Sequence, residues 1–445
     1  MNEIKNKLDE NIDLNEDFKK ALDIMENSNQ SLFITGRAGT GKSTLLTYFK
    51  KYTKKNVVVC APTGLAAINI EGQTIHSLFK LPPKLLDASD IKKVYHGFYK
   101  HLDAIIIDEV SMVRVDMFDA IDMFMRMNGK DRNKPFGGIQ ILLFGDLFQL
   151  PPVVENESGK ILKQLYPSPY FFDAHVMNHL NIEVINLAKV YRQKDSKFIG
   201  LLDKIRLGNL NESVLEEINS NVGKTKDEEA VILTPTNKIA GAINQGKLDQ
   251  LNTQLFSYKA IIEGEFNMGI NNLPADLEIY LKKGARVIFT KNDSGGRWVN
   301  GTLGKVMECG EESVKVKLDE DSSVVDVGFV EWDKIRYELD PFTKRITSKI
   351  LGKFRQIPLK LAWALTIHKC QGQTLDKVHV DISSGVWEHG HVYVALSRCR
   401  TLEGLSLASK VWINDITIDQ RVVDFLKNRI KESFDVGNLL EDEND

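Results

Sequence analysis

The sequence predicts an α/β fold in which mostly parallel sheets are covered by helices on both faces, and three observations predict it. Short apolar, β-prone runs alternate with amphipathic helical segments over residues 30–186, the pattern of strands buried on both sides. A second series of such runs follows residue 230. Within that second half, from about 301 to 355, Val314, Val316 and Leu318 alternate with Lys315 and Lys317, which marks a small antiparallel insert. A chain of 445 residues exceeds what one core organises, so two or three domains are expected.

Taken in order, Leu14, Phe18, Ala21, Leu22 and Met25 stand at helical spacing and lead into a first strand, Ser31 to Thr35. Gly36-Arg37-Ala38-Gly39-Thr40-Gly41-Lys42-Ser43 follows, with the spacing G-x-x-x-x-G-K-[ST], and a helix begins at Thr44. A strand, a glycine-rich loop and a helix N-terminus together make an anion site. Gly36, Ala38, Gly39, Thr40, Gly41 and Thr44 frame the phosphates with backbone N–H groups, Lys42 reaches the β- and γ-phosphates, and Ser43 sits on Mg²⁺.

Val57 to Ala61 is a second buried strand, so Thr63 lies at a strand's carboxyl end, where open α/β sheets meet their ligands. Leu102 to Ile107 is an apolar strand ending in Asp108 and Glu109. The aspartate is expected to hold Mg²⁺ and the glutamate to orient or deprotonate the attacking water; an acidic pair there can also be a helix cap. Ile139 to Phe144 ends at Gly145-Asp146, and Gln149 just beyond is expected to sense the γ-phosphate. Later, Ala230 to Thr234, Leu361 to Thr366 and Val378 to Asp381 read as strands, with a helix through Ile239, Ile243 and Leu248. The domains expected are residues 1–186 with an insert at about 66–100, then 187–300 and 356–445 interrupted by the insert at 301–355.

Apolar residues make up 42% and charged residues 27% of the chain, the composition of a globular protein. No apolar run approaches the roughly 18 residues of a membrane span, and Met1 to Lys5 has no signal-peptide core, so a cytoplasmic location is expected. Cys60, Cys309, Cys370 and Cys399 lack C-x-x-C spacing, which argues against a disulfide framework or a cysteine zinc cluster. His175 and His179 lack the glutamate of H-E-x-x-H and read as ordinary helix positions, while Glu388, His389 and His391 read as a polar cluster without a fourth ligand. A net charge of −3 gives no global sign of nucleic acid. Lys344, Arg345, Lys349, Lys353 and Arg355 nonetheless form a local basic cluster, either a channel lining or a solvated face.

Asp108-Glu109-Val110-Ser111-Met112, Pro135 to Gln140, Gly145-Asp146 and Gln149-Leu150-Pro151-Pro152 resemble the petite-integration-frequency (Pif) family of DNA helicases, superfamily 1B motors related to RecD. The segment with Asp116, Phe118 and Arg126 is similar to that family's signature insert. Thr74 to Phe79, Val190 to Gln193, Thr366 to Lys369 with Gln371, Gly372 and Thr374, and Val394 to Arg400 continue the match in order. The resemblance implies two RecA-like motor domains, a wedge around Leu81-Pro82-Pro83, an SH3-like β-barrel at 301–355, and ATP-driven 5′-to-3′ unwinding of DNA. It further implies Arg192 and Arg398 as arginine fingers, Gly372 beside the nucleotide, and Thr63, Thr74, His76, Thr366, His368 and Lys369 along the DNA strand. The implied cofactors are ATP and Mg²⁺. The implied partners are single-stranded DNA and duplex junctions, G-quadruplexes or RNA–DNA hybrids among them, with no membrane and a monomer in solution. Two rival readings stay open: a nucleotide-switched single-strand clamp and a motor acting mainly on RNA or RNA–DNA hybrids. Asn15-Glu16-Asp17-Phe18 lacks the family's adenine-reading glutamine; Asn15 or Asn11 is the expected substitute, with relaxed choice among triphosphates.

Overall fold

Six strands of the first half form one parallel sheet: β1 (Ser31–Gly36), β2 (Val57–Ala61), β3 (Gln73–Thr74), β4 (Ala104–Ile107), β5 (Gln140–Phe144) and β6 (Ile182–Leu187), in the spatial order β3-β2-β4-β5-β1-β6. The computed structural model describes residues 14–94, 97–154, 156–193, 195–224, 229–266, 273–340, 342–371, 373–386 and 388–429. Asn11 and Gly372, both singled out from the sequence, lie outside them. Every residue of β1, β4 and β5 is buried, as a sheet covered on both faces requires. Because the strands are parallel, β1, β4 and β5 deliver Gly36, Asp108 and Gly145 to the same edge. The helix Glu16–Asn27 buries Phe18, Ala21 and Met25. Asn15 caps it, its Oδ1 accepting from Phe18 N at 2.9 Å.

The helix Val115–Asn128 buries three aspartates, and each is spent on a neighbouring segment. Asp116 accepts from Leu86 N and from Arg114, Asp119 from the backbone N–H groups of His175 and Val176, and Asp122 from Phe136 N and Arg126. A buried carboxylate is costly unless so paired, so the helix anchors the segment around residue 86 from one side and the 3-10 turn His175–Asn178 from another. That turn and its cap His179 replace the ordinary helix expected for the two histidines.

The second half continues with β7 (Val231–Thr234), β8 (Leu255–Lys259), β9 (Ile261–Gly264), β10 (Glu278–Lys282), β11 (Arg286–Phe289), β12 (Leu303–Cys309), β13 (Ser313–Leu318), β14 (Val324–Gly328), β15 (Val330–Leu339), β16 (Ile346–Gln356), β17 (Leu359–Leu361), β18 (Ala364–Thr366), β19 (Val378–Val380) and β20 (Leu405–Leu407). β7, β18, β19 and β20 form a second parallel sheet in the order β18-β7-β19-β20. β8 to β17 pair antiparallel throughout.

Two expectations change here. Antiparallel pairing extends from Leu255 to Leu361 rather than over 301–355; β9 is exposed along its whole length and gives no sign of it, whereas β10 alternates buried Ile279 and Leu281 with exposed Tyr280. The strand expected over Leu361 to Thr366 is two strands in different sheets. Ala362 N still bonds Arg286 O, whereas Trp363 O already accepts from Ile232 N, and an apolar run cannot signal such a change of partner.

The β15–β16 hairpin lies against the edge of the first sheet. Tyr337 donates its N–H to Gln73 Oε1 at 3.4 Å and accepts from Val59 N at its hydroxyl, and Ile346 N reaches Asn56 Oδ1. Of its basic residues, Lys353 and Arg355 pair with Glu331 on the adjacent strand.

Candidate active site

The phosphate loop is held open by backbone that only glycine adopts cheaply. Gly39 and Gly41 have φ of +82° and +85°, and an added Cβ would stand 2.3 Å from Arg192 Cβ or 2.9 Å from the Phe18 ring. Thr40 is buried, its hydroxyl donating to Arg37 O, and Tyr191 N donates to Gly39 O. Lys42 opens the helix Lys42–Tyr52, its Nζ folded back to donate to Gly36 O at 2.7 Å and Arg37 O at 3.0 Å. Its ammonium is held below the usual range by desolvation, against the opposing pull of Asp146 and Glu109.

Beside the loop is a cavity of about 590 Å³. Ala38, Gly39, Thr40, Gly41, Lys42, Ser43 and Thr44 line it together with Asp108, Glu109 and Gln149. From farther along the chain come Arg192, Thr374 and Arg398. Burial pushes the Asp108 carboxyl up to about 6, and burial together with the Asp108 charge pushes Glu109 up to about 7. Glu109 sits at φ +50°, a strained left-handed position for a side chain of its kind.

A chain of polar contacts runs from Glu109 to Arg206. Gln371 Nε2 donates to Glu109 Oε2 at 3.1 Å and to Gln149 Oε1 at 3.2 Å, and Gln149 Nε2 donates to Asp146 Oδ2 at 3.1 Å. Asp146 pairs with Arg206 at 3.0 Å, both fully enclosed, and the guanidinium lies over the Phe148 ring. The two expected finger residues meet nearby. Arg398 is wholly buried, donating to the carbonyls of Val394, Cys370 and Gln373 and to Ser397 Oγ. Arg192 donates to Ser397 O at 3.5 Å, and burial and Arg398 lower it to about 9. Tyr393 accepts from Ala38 N, tying the helix His391–Leu396 to the loop.

The residues expected along DNA fall into two groups. Thr63, Thr74 and His76 stand beyond β2 and β3, where Thr63 and Thr74 cap the short helices that follow and His76 Nδ1 lies 3.1 Å from Leu81 O. Thr366, His368 and Lys369 follow β7's neighbour β18. Thr366 is buried, its hydroxyl accepting from Lys369 N, so its side chain faces inward. Lys369 is exposed, its ammonium lowered to about 8 by desolvation and by Lys360.

Asn15, the expected substitute for the adenine-reading glutamine, sits at the entry of the first helix beside Tyr191. Its Oδ1 is the helix cap and its Nδ2 donates to Tyr191 OH at 3.1 Å, which leaves the amide one further acceptor position and one further donor. Asp146, Arg206, Phe18, Tyr191 and the bridging role of Gln371 were not foreseen from the sequence. Asp146, Tyr191 and Gln371 stand in the matched motifs and Phe18 in the entry helix, but a motif names no partner, and Arg206 has no such signal.

Among the described residues no helix is long and apolar enough to cross a membrane. The family model described as PIF1-like helicase matches residues 13–216. The chain is 31% identical to the ATP-dependent DNA helicase PIF1 of Emericella nidulans over 93% of its length, spanning 63% of that protein. It is 30% identical to the ATP-dependent DNA helicase Pif1 of Bdellovibrio bacteriovorus, covering 94% of this chain and 92% of that one. Pif1 from Bacteroides sp in complex with ADP-AlF4 is 33% identical, with 95% and 98% coverage and a TM-score of 0.87. The same protein bound to ssDNA, at 94% and 97% coverage, gives a TM-score of 0.68. On the sequence match and the shared structure, the chain belongs to the PIF1-like helicase family.

Proposed function

We propose that the chain is an ATP-dependent DNA helicase that moves 5′ to 3′ along single-stranded DNA and separates duplexes. One observation carries this reading: residues of both halves, Lys42, Asp108 and Glu109 from one and Arg192, Thr374 and Arg398 from the other, line a single cavity. Phosphoryl transfer needs little covalent help, so positioning and neutralised charge supply the rate. In this reading the N–H groups of the loop and Lys42 bind the phosphates of ATP, and Gln149 responds to the γ-phosphate. Glu109, near 7, is matched to taking a proton from water at neutral pH.

Ser43 and Asp108 would hold Mg²⁺. The donor set fits: a hydroxyl and a carboxylate raised by burial line the cavity together, and a dication relieves the cost of that charge. When bound, Mg²⁺ neutralises phosphate charge. Arg192 and Arg398 lie beyond the first sheet, so hydrolysis is made conditional on closure of the two halves; an arginine finger contributes about 10³ to 10⁵ in rate. Thr63, Thr74 and His76 on one side, and Lys369 with the backbone from Thr366 to His368 on the other, then serve as two grips on the strand. Domain limits at about 186 and 255, with the segment around Leu81-Pro82-Pro83 as the wedge, complete the proposal.

The deciding experiment is unwinding of partial duplexes with a 5′ or a 3′ overhang, with ATP hydrolysis followed in parallel. The expected result is strand separation from the 5′ overhang only, with hydrolysis stimulated by single-stranded DNA. Strand-independent hydrolysis without separation would instead support a nucleotide-switched clamp.

Relaxed choice of nucleotide has an observation of its own. The Asn15 amide is partly engaged elsewhere, while Phe18 and Tyr191, with ring centroids 6.5 Å apart, both line the cavity. Ring faces stack on any base. Comparable turnover of ATP and GTP is expected, and strict use of ATP would count against it.

A further inference from the structure

We infer that His368, Glu388 and His391 form a binding site for one divalent transition ion of the zinc class, joining the segment after β18 to the helix that leads into Arg398. His368 Nε2 lies 3.5 Å and His391 Nε2 3.3 Å from the same oxygen, Glu388 Oε2. One ligand atom from each residue falls within 4.8 Å of the others. An ion at about 2.0–2.2 Å from tetrahedral ligands needs them roughly 3.3–3.6 Å apart. Two edges of the triangle already have that spacing, and a small rotation of the rings, which meet edge to face at 5.1 Å, closes the third. Two imidazoles and one carboxylate are a zinc ligand set that leaves a position open.

Burial supplies a second, independent observation. His391 is 2% exposed; its Nδ1 has no hydrogen-bond partner, and its Nε2 has only the Glu388 carboxylate at 3.3 Å, out of hydrogen-bond geometry. A buried polar group left in that state is costly, and native structures rarely keep one without a partner. A cation at Nε2 would satisfy it.

The turn that sets the spacing of Glu388 and His391 is also fixed. Gly390, at φ +76°, has no room for a Cβ, which would stand 2.4 Å from Phe148 O. His389 between them is turned away: its Nε2 lies 2.9 Å from Leu147 O, and its Nδ1 accepts from Asp419 N. The carboxylate and the imidazole are therefore presented together on a rigid support, as a metal site needs. None of the three residues lines the nucleotide cavity.

The test uses the full chain freed of metal by dialysis against a chelator, titrated with Co²⁺ in excess Mg²⁺, which occupies oxygen sites and leaves imidazoles free. Ligand-field bands of low-coordinate Co²⁺ are expected to saturate at one equivalent and to be displaced by one equivalent of Zn²⁺. His391→Gln and Glu388→Gln are each expected to weaken Co²⁺ binding by at least about 10- to 100-fold, the loss that even outer-shell partners cause, with unchanged circular dichroism. Absence of the bands in the unsubstituted chain overturns the site, as do bands of equal affinity in both variants. A thiolate charge-transfer band also overturns it, by assigning the ion to a cysteine. If a variant fails to fold, the titration of the unsubstituted chain decides alone.

Discussion

Gln371 donates one amide group to both Glu109 and Gln149, at 3.1 Å and 3.2 Å, and so fastens the second half of the chain to the Glu109 carboxylate of the first. It follows directly after the His368-Lys369-Cys370 segment, so a movement of that segment is felt at Glu109. A hydrogen bond to a charged group contributes about 1.5–3 kcal/mol. Gln371→Ala should therefore lower kcat for DNA-stimulated hydrolysis by about 10- to 100-fold with little change in KM, as loss of an interaction that aligns the base requires. Steady-state kinetics with saturating single-stranded DNA would measure it, and an unchanged kcat would make the contact incidental.

The features legible in the sequence are those whose chemistry is local. Gly36 to Ser43 was readable because its spacing forces backbone conformations, and Asp108 and Glu109 because an apolar run fixes where a strand ends. Gln371 was not, since its partners stand 262 and 222 residues away and a glutamine in a loop has no period. Arg206 sits in the last turn of the helix Ser196–Leu207, where a cation normally serves the helix dipole in solvent; only the tertiary fold turns it inward onto Asp146. The breadth of the antiparallel insert is defined by strand pairing rather than composition: β9 offers no buried face, while β10 alternates yet names no partner strand.

The Arg206–Asp146 pair should be a stability determinant under the nucleotide cavity. Their side chains are 4% and 0% exposed. Burial alone would raise the Asp146 carboxyl, yet Arg206, Lys42 and the hydrogen bonds outweigh it and leave the group below its ordinary value. A depressed carboxylate stabilises the fold above its unfolded pKa, and that contribution is lost as pH falls through the folded value. Arg206→Leu strands a buried charge and should cost about 3–5 kcal/mol at neutral pH. Adding Asp146→Asn should recover part of that loss. Denaturant unfolding of the single and double variants measures both, and an Arg206→Leu chain as stable as its parent would refute the pairing.

Arg398 calls for a gentler substitution than alanine. Its guanidinium donates to three carbonyls and a hydroxyl with no exposed surface, so Arg398→Ala would confound lost catalysis with orphaned acceptors. Arg398→Lys keeps the charge and forfeits the planar fork. It should retain binding of a labelled nucleotide and a melting midpoint close to that of the parent, while hydrolysis falls about a thousandfold. Hydrolysis at the parental rate would remove Arg398 from the reaction.

Proton release should accompany loading of the site. Asp108 and Glu109 are raised to about 6 and about 7, burial being the larger cause in each. A carboxyl with a raised folded pKa binds more protons folded than unfolded between the two values. The stability it confers on the empty protein therefore falls as pH rises from about 4 to about 7. A dication reverses the preference by favouring the charged forms. Binding of Mg²⁺ with a non-hydrolysable triphosphate at about pH 6.5 should therefore expel protons, and the release should fade above about pH 8, where both carboxyls are already ionised. Calorimetry in buffers of different ionisation enthalpy counts those protons. The triphosphate contributes some of its own, so the quantity that matters is the difference from Glu109→Gln, which keeps the shape of the site but has nothing to release. An equal count in the two proteins would mean that Glu109 is already ionised in the empty cavity, and the general-base assignment would lose the poised carboxyl on which it depends.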